Sequence, residues 1–334
     1  MDGQANAHNR GPTRKQFSMH IQWFPGHMHK AQLQIKESLP KVDLVIELLD
    51  ARIPGSSENP LLAELRGDKP CLKVLSKSDL ADPTRTSQWQ SHLERLNGVK
   101  ARTVTTTQAG TIARLVDVCH KMAPHRLGQG KPIRTMIVGI PNVGKSTLIN
   151  ILAGRKIAKT GNEPAVTKNQ QQISIGKGIV LLDTPGVLWP NVENKNSGYR
   201  LAATGAIRDT ALEYSEVAYF VADYLLENYP AALAKRYSLE SMPVDQISLL
   251  DAIGKRRGCL AKGGAVDYDR TSRIFINDLR AGDLGPISLE TPEMIAEENA
   301  AQAATKAKKI ERKLSRKEAR RANFVAKRDA SPPR

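Results

Sequence analysis

The sequence predicts an α/β fold, in which helices flank a mostly parallel β-sheet, followed by an all-helical region. Six apolar, strand-like runs lie before about residue 190, and segments of helical period separate several of them. Beyond about residue 195 the strand signal fades and helical periodicity dominates. Because continuous Val, Ile and Leu runs are typical of strands buried on both faces, we expect most of these strands to be parallel.

The strand-like runs and the helices between them can be placed in order. Two segments between the strands, SQWQSHLERLNG and TIARLVDVCHKM, are compatible with helices. The last two runs are joined by Gly-Lys-Gly, which predicts an antiparallel hairpin. The six runs are DLVIELLDA (43–51), CLKVLS (71–76), KARTVTTT (100–107), PIRTMIVGI (132–140), QQISIG (171–176) and GIVLLDTPG (178–186).

The later part of the chain has helical period, and in one segment Tyr268, Phe275 and Leu279 fall on one face. Low-complexity sequence follows Pro292 and is compatible with a long exposed helix or with a disordered tail that folds on binding. We therefore predict four regions: a disordered tail (1–18), an α/β nucleotide-binding domain (19–200), a helical domain (205–290) and a basic low-complexity tail (293–334).

Charge and cysteine content limit the class of protein. The net charge is +16, and residues 301–334 carry twelve Lys or Arg against three acidic residues. Such an excess of one sign is typical of segments that contact a polyanion, although a solvated charged helix is the alternative. Three cysteines without C-x-x-C spacing fit a reducing cytosol. No run approaches the length of a membrane helix, so we expect a cytoplasmic protein, and we expect it to be a monomer.

A phosphate-binding loop is predicted at GIPNVGKS, which begins at Gly139. It follows an apolar strand and opens a helix, as G-x-x-x-x-G-K-[ST] requires. Glycines let successive N–H groups face one phosphate, and the helix N-terminus adds positive charge. Lys145 would meet the β- and γ-phosphates, and Ser146 would give an oxygen to Mg²⁺. The predicted nucleotide contacts are Asn142, Val143, Gly144, Lys145, Ser146 and Thr147.

A second motif, Asp183-Thr-Pro-Gly186, ends the last strand-like run. A carboxylate at this position can hold Mg²⁺ through water, and Gly186 can offer its N–H to the γ-phosphate. Between the two motifs lies EPAVTKNQ, in which Thr167 is the candidate second Mg²⁺ ligand from a loop.

A guanine site would need an Asp after a strand to accept hydrogen bonds from the base. Downstream of the phosphate loop the similar string NKNS (194–197) has no Asp, and no strand leads into it. Upstream, Ser76-Lys77-Ser78-Asp79 ends a strand, and Thr106 and Thr107 end the next one, where they could support the base. The base-reading strands thus precede the phosphate-binding strand, a circular reordering that preserves the same site.

This order of motifs resembles the circularly permuted GTPases. The strings IQWFPGHMHKA (21–31), DLVIELLDARIPGSSENP (43–60), GIPNVGKSTLIN and LAATGAIRD (201–209) closely resemble the ribosome biogenesis GTPase A family, the YlqF/RbgA type. The resemblance covers most of the chain. It implies a Mg²⁺-dependent GTPase that acts in late assembly of the large ribosomal subunit precursor, with a helical domain that contacts rRNA.

Three features depart from the family's usual pattern. Ser76 stands where the family usually has Asn, and Thr106-Thr107 where it more often has Ser-Ala. The basic extension after Pro292 also looks longer than the family's usual end. Since Ser lacks the paired donor and acceptor of an amide, guanine affinity could be weaker, and an ATPase with relaxed base choice stays open.

The resemblance also suggests how hydrolysis is catalysed. Val187 and Leu188 stand where Ras-like GTPases have a water-orienting Gln nearby, so the family's candidate catalytic residue is His27. The alternative is a structural or RNA-contacting role for His27. Asn142 is the candidate K⁺ ligand, or else an ordinary turn residue. Arg52 could stabilise charge or bind RNA, or could pair locally with Asp50 or Glu58. A nucleotide-regulated RNA-binding protein with negligible hydrolysis is the alternative function.

Overall fold

The computed structural model describes residues 26–105, 109–157, 171–189, 192, 194–211 and 213–329. Its six strands form one sheet in the order β3-β2-β1-β4-β6-β5, in which every neighbouring pair is parallel except β5–β6. The predicted strands, the predominance of parallel pairing and the hairpin are confirmed. The strands are β1 (Leu44–Asp50), β2 (Cys71–Ser76), β3 (Val99–Thr103), β4 (Ile133–Gly139), β5 (Gln171–Gly176) and β6 (Ile179–Asp183).

The register of the sheet gathers the ends of four strands at one edge. Asp50 at the end of β1 is paired with Ser76 at the end of β2, and Leu48 is paired with Gly139 of β4. Asp183 of β6 lies beside Ile137 of β4. Every residue of β1 and β2 is buried, which explains their continuous apolar runs. The motifs that follow these strands therefore meet at the carboxyl edge of the sheet.

Helices cover the sheet between the strands. The two segments predicted as helical, in α4 and α5, are confirmed as helices. A short 3₁₀ turn at Leu39–Lys41 leads into β1. The helices are α1 (Gly26–Ser38), α2 (Pro54–Ser57), α3 (Pro60–Arg66), α4 (Pro83–Leu93), α5 (Ala109–Met122), α6 (Pro124–Gly128) and α7 (Lys145–Ala153).

The region after β6 is helical, as predicted. Phe275 and Leu279 are buried and Tyr268 is partly buried, so the predicted shared face packs into the core. In the described part of this region, β-type pairing is limited to an isolated bridge between Leu260 and Val266. The helices are α8 (Lys195–Ala203), α9 (Tyr214–Asn228), α10 (Pro230–Tyr237), α11 (Gln246–Arg256) and α12 (Tyr268–Ala281).

The basic C-terminal segment forms one helix, α13 (Pro292–Asp329). Of the two alternatives for this segment, the structure shows the long helix. Its start packs near α2 and α4, where Ile295 meets the cluster that contains Trp89, whereas residues 303–317 are exposed. Among the helices that the structure describes, none has both the length and the apolar character of a membrane span. The domain boundaries at residues 18, 200 and 290 stay predictions.

Candidate nucleotide site

The phosphate loop connects β4 to α7 by a tight turn against β1. Gly144 precedes α7 with φ of 94°, a backbone conformation that side chains strongly disfavour. Gly139 is equally constrained, because a Cβ there would lie 2.9 Å from Cγ1 of Val143 and 3.0 Å from the carbonyl oxygen of Leu48. The strand, loop and helix predicted for GIPNVGKS are thus all present, and the N-terminus of α7 faces the bend of the loop.

Lys145 forms a buried ion pair with Asp183, which joins the phosphate loop to the end of β6. The side chains of these residues are 6% and 0% exposed. Burial lowers the pKa of Lys145, and the Asp183 carboxylate only partly offsets that effect. The second carboxylate oxygen, Oδ2 of Asp183, is buried without a hydrogen-bond partner in the described part of the chain.

That unpartnered carboxylate oxygen fits a cation held through water at the end of β6. The described residues contain no group of three or more His, Cys, Asp or Glu side chains arranged to hold a metal ion. A cation at this position would consequently depend on phosphate oxygens of a nucleotide for much of its coordination. This donor set suits Mg²⁺, which favours oxygen ligands and is commonly held by one or two protein groups plus phosphates.

The Asp183–Gly186 segment lies directly on the phosphate loop. The amide of Val187 donates to the carbonyl oxygen of Gly139 over 3.1 Å. A Cβ on Gly186 would lie 3.1 Å from Cα of Pro141, so a side chain there would push the two segments apart. Thr184 fixes the segment to β4 by donating to the Ile137 carbonyl oxygen over 2.8 Å. The two motifs that the sequence assigns to phosphate and metal are therefore neighbours.

Ser76 joins the base-reading segment to the phosphate loop. Its buried hydroxyl lies 2.7 Å from the carbonyl oxygen of Val143 and 3.0 Å from that of Leu49. Ser76 and Val143 are 67 positions apart in the chain. The permuted order of the motifs therefore still brings together the two segments to which the sequence assigns base and phosphate.

Lys77 and Asp79 stand next to Ser76 but in different surroundings. Lys77 has φ of 55°, and its ammonium group lies 3.1 Å from Oδ2 of Asp50. Arg52 donates to the same carboxylate twice, from Nε over 2.9 Å and from Nη2 over 2.7 Å. Burial by itself raises the pKa of Asp50, but Arg52 and Lys77 outweigh it and hold that pKa well below its usual value. The side chain of Asp79 is exposed and accessible to a base.

Arg52 forms a salt bridge with Asp50, which is the local pairing that the sequence left open beside a role in charge stabilisation or RNA binding. Its backbone oxygen accepts a hydrogen bond from the amide of Leu289 over 2.8 Å, and its Nη1 is buried without a hydrogen-bond partner among the described residues. Arg52 is 2% exposed, so its guanidinium is a structural element beneath the base-reading segment rather than a surface group.

Val187 and Leu188 point into the core, with exposures of 3% and 1%. Side chains at these positions therefore contact other apolar groups instead of solvent near a nucleotide. Asn142, with φ of 59°, donates from Nδ2 to the carbonyl oxygen of Gly205 over 2.8 Å. This bond ties the phosphate loop to the turn after α8.

Several predicted site residues fall outside what the structure describes. His27 belongs to the first turn of α1, but its side chain is outside the described part. Thr106, Thr107 and Thr167 also lie outside the described residues.

Sequence reasoning also missed a set of contacts between α8 and α13. Glu298 accepts hydrogen bonds from Asn194, Asn196 and Arg200, about a hundred positions earlier in the chain. No local sequence signal links groups at such a separation.

Comparisons with known proteins decide the family. Ribosome biogenesis GTPase A of Bacillus pumilus is 45% identical to this chain over 282 residues, which is 82% of this chain and 100% of that protein. The chain belongs to the ribosome biogenesis GTPase A family. The protein of the same name from Thermotoga maritima is 30% identical over 275 residues, covering 82% of this chain and 96% of the relative. This GTPase also matches a family model described as 50S ribosome-binding GTPase over residues 134–251, a match that starts within β4.

Solved structures agree with the fold. A GDP-bound YlqF structure has a TM-score of 0.57 and 27% identity, covering 78% of this chain and 99% of that one. The GNP-bound YlqF from T. maritima has a TM-score of 0.56 and 28% identity, covering 79% and 99%. The prediction of a circularly permuted GTPase domain followed by helices is thereby confirmed, and the chain is a GTPase.

Proposed function

We propose that this GTPase binds GTP with Mg²⁺, associates with the precursor of the large ribosomal subunit through rRNA, and hydrolyses GTP to GDP and phosphate during late maturation. The arrangement of Ser76, Lys145 and Asp183 around one loop supports the proposal, because the groups proposed for base, phosphate and metal are then neighbours. The names of the relatives support the ribosomal part.

Binding of GTP has to exchange partners within the site. Lys145 leaves Asp183 and turns its ammonium group to the β- and γ-phosphates. The phosphates carry more negative charge than one carboxylate, so they stabilise the charged form of this buried lysine more strongly than Asp183 does. Ser146 and Thr167 would provide the hydroxyl oxygens for Mg²⁺, and Asp183 would hold it through water. When bound, this ion neutralises the charge that develops on the phosphates during transfer. Gly186 offers its N–H to the γ-phosphate.

Base recognition is divided between two residues of the permuted motif. Asp79 accepts hydrogen bonds from guanine N1 and N2, for which its exposed position leaves room. Lys77, held by Asp50, lies beneath the base plane, and Thr106 and Thr107 support the other edge. Ser76 has its hydroxyl engaged by backbone carbonyl oxygens, so it acts by holding the segment in place.

Water attacks the γ-phosphate in line, and the protein contributes position and charge. Since Val187 and Leu188 are buried, His27 is the group proposed to orient the water once the protein docks on the subunit. Asn142 is the proposed ligand for an activating K⁺. Contacts of GTP with Thr167 and with the Asp183–Gly186 segment favour docking through the helical region 205–290, and hydrolysis favours release. The protein acts as a monomer in the cytoplasm.

The test is GTP turnover with and without large ribosomal subunits, in K⁺ or Na⁺ buffer, for wild type, His27→Ala and the control His29→Ala. His29 is exposed two positions further along the same helix. We expect subunits to raise turnover of wild type and His29→Ala, with His27→Ala binding GTP but staying slow. Equal stimulation of His27→Ala would remove the role of His27. No stimulation of wild type would favour the nucleotide-regulated RNA-binding protein instead.

A further inference from the structure

The start of α13 is fixed to the GTPase body by one carboxylate. Oε2 of Glu298 accepts from Asn194 Nδ2 over 2.7 Å and from Arg200 Nη1 over 2.8 Å. Oε1 accepts from Asn196 Nδ2 over 2.8 Å and from Arg200 Nη2 over 2.7 Å. Arg200 is 1% exposed. Forked arginine–carboxylate pairs define direction as well as distance, so these four bonds set the angle at which α13 leaves the body.

A second carboxylate, that of Glu290, anchors the chain two residues before α13 begins. Glu290 is fully buried and accepts from the amide of Ser56 over 3.0 Å and from the Ser56 hydroxyl. The same hydroxyl lies 2.9 Å from that of Ser197. A Cβ on Gly55 would lie 3.2 Å from Oε1 of Glu290, so little space is left here. The base of α13 is therefore held between α2, which follows β1, and α8, which follows the Asp183–Gly186 segment.

Beyond this base the helix is exposed and its charge is one-sided. Between residues 303 and 317 every side chain is exposed. Projected at about 100° per residue, the basic side chains occupy about half of the helix circumference. The opposite half carries Ala303, Ala307, Ile310, Leu314 and the acidic Glu311. The basic face consists of Lys306, Lys308, Lys309, Arg312, Lys313, Arg316 and Lys317.

We propose that α13 is an RNA-docking arm, whose basic face binds the phosphate backbone of double-helical RNA and whose direction is set by the hydrogen bonds to Glu298. The inference rests on the proposed function, in which the GTPase associates with a ribosomal subunit, and assigns to α13 a contact separate from that of the helical region 205–290. Seven cations on one face complement the closely spaced phosphates of a duplex.

The opposite face argues against a lipid surface as the partner. Ile310 and Leu314, which are 53% and 55% exposed, are the two large apolar side chains on that face. An interfacial membrane helix buries a broad stripe of large apolar groups in addition to its charge. The alanines between these residues offer little such area, so charge rather than apolar burial dominates the recognition surface.

The charge of α13 is tested by two triple variants with the same change in net charge. The variant Lys306→Gln, Lys309→Gln, Lys313→Gln removes three cations from the basic face. The control Ala300→Glu, Ala304→Glu, Ala307→Glu adds three anions to the opposite, exposed face. Binding to a short blunt RNA duplex is measured at several salt concentrations. For the first variant we expect the negative slope of log affinity against log salt concentration to become shallower by roughly three. The control should keep the wild-type slope, because its new charges do not contact phosphate.

If both variants and wild type show the same salt dependence of duplex binding, the proposal that α13 binds RNA is wrong. Wild-type binding to anionic phospholipid vesicles without binding to the duplex would also overturn it, since a membrane would then be the partner. Basal GTP turnover is measured alongside. If wild type binds neither large subunits nor duplex but hydrolyses GTP, the proposed ribosomal function fails together with the arm. If wild type is stimulated by subunits and the Gln variant binds them equally well, the arm alone fails.

The contacts to Glu298 are tested with the neighbour Glu297, which is exposed and equal in charge. A short duplex can bind the arm without spanning arm and body, whereas a subunit contacts arm and body together. We expect Glu298→Gln to leave duplex affinity unchanged and to lower subunit affinity by about tenfold or more, because a freely oriented arm loses effective concentration. Glu297→Gln should match wild type. If Glu298→Gln does not fold, the milder Asn196→Ala replaces it. If the folded variant binds subunits as tightly as wild type does, the hydrogen bonds to Glu298 do not position the arm.

Discussion

The hydroxyl of Ser76 lies 2.7 Å from the carbonyl oxygen of Val143, which makes one side chain the link between the base-reading segment and the phosphate loop. The single hydroxyl proton of Ser76 is shared between two carbonyl oxygens, of which that of Val143 is the nearer and that of Leu49 lies 3.0 Å away. Ser76 therefore ties the two segments together with a hydroxyl group alone.

Replacing Ser76 by Ala should destabilise the fold and weaken GTP binding. The change removes a buried hydroxyl donor, and loss of a buried hydrogen-bond partner costs about 1–3 kcal/mol of unfolding free energy. GTP affinity should fall about tenfold, because the base-reading segment is no longer tied to the phosphate loop. Urea unfolding and nucleotide titration measure the two effects.

Ser78→Ala is the matched control for this change. The hydroxyl of Ser78 also donates to a backbone carbonyl oxygen, that of Val104 over 3.1 Å, but it is only partly buried and does not touch the phosphate loop. A loss of GTP affinity as large as that of Ser76→Ala would show that the tether is not the cause.

Asp79→Asn should change which base is bound. An Asn cannot accept both guanine hydrogen bonds, and each bond to a charged group contributes about 1.5–3 kcal/mol. GTP affinity should therefore fall by roughly two to four orders of magnitude. Xanthosine triphosphate should gain, since its C2 oxygen accepts from the new amide. Competition with a fluorescent nucleotide measures both, with ATP as the control that binds poorly throughout. A variant that still prefers GTP would place base recognition elsewhere.

Val187→Gln should not restore a Ras-like hydrolytic site. Because Val187 is 3% exposed, the introduced amide enters the core instead of meeting water at a γ-phosphate. Burial of an unpaired amide costs about 1–3 kcal/mol, so the unfolding free energy should fall while basal turnover does not rise. Val187→Ala separates the loss of the apolar side chain from the effect of the amide. A clear increase in basal turnover of Val187→Gln would show that this position reaches the nucleotide.

Asp50 should contribute stability that is lost in acid. Its pKa is depressed in the folded state relative to 3.8, so the folded protein binds this proton less readily than the unfolded chain does. The stabilisation is therefore fully present well above pH 3.8 and declines as pH falls below it toward the folded pKa. Urea unfolding of wild type and Asp50→Asn should show a difference in unfolding free energy that is constant near neutral pH and becomes smaller below pH 3.8. A difference that became larger in acid would contradict the paired carboxylate.

Much of the fold followed from local pattern. Runs rich in Val, Ile and Leu predicted the central strands, and β1 and β2 are indeed buried along their whole length. The Gly-Lys-Gly turn predicted the β5–β6 hairpin, and the GIPNVGKS context predicted the loop between β4 and α7. In that loop Gly139 has no room for a Cβ and Gly144 has a positive φ. Even the permuted order could be inferred, since a parallel sheet aligns the ends of its strands.

Tertiary structure decided the partners of these groups. The tether from Ser76 to Val143 and the bonds from Arg200 to Glu298 join residues 67 and 98 positions apart, and no periodicity encodes such pairs. The sequence also left open whether Arg52 forms a local salt bridge or lies at the surface. The tertiary packing that buries Arg52 against Asp50 decided for the salt bridge. Sequence by itself determined the strands, the loop chemistry and the one-signed charge of α13, because these depend on neighbours in the chain. Only packing decided which charges meet, because ion pairs form between surfaces that the fold brings together.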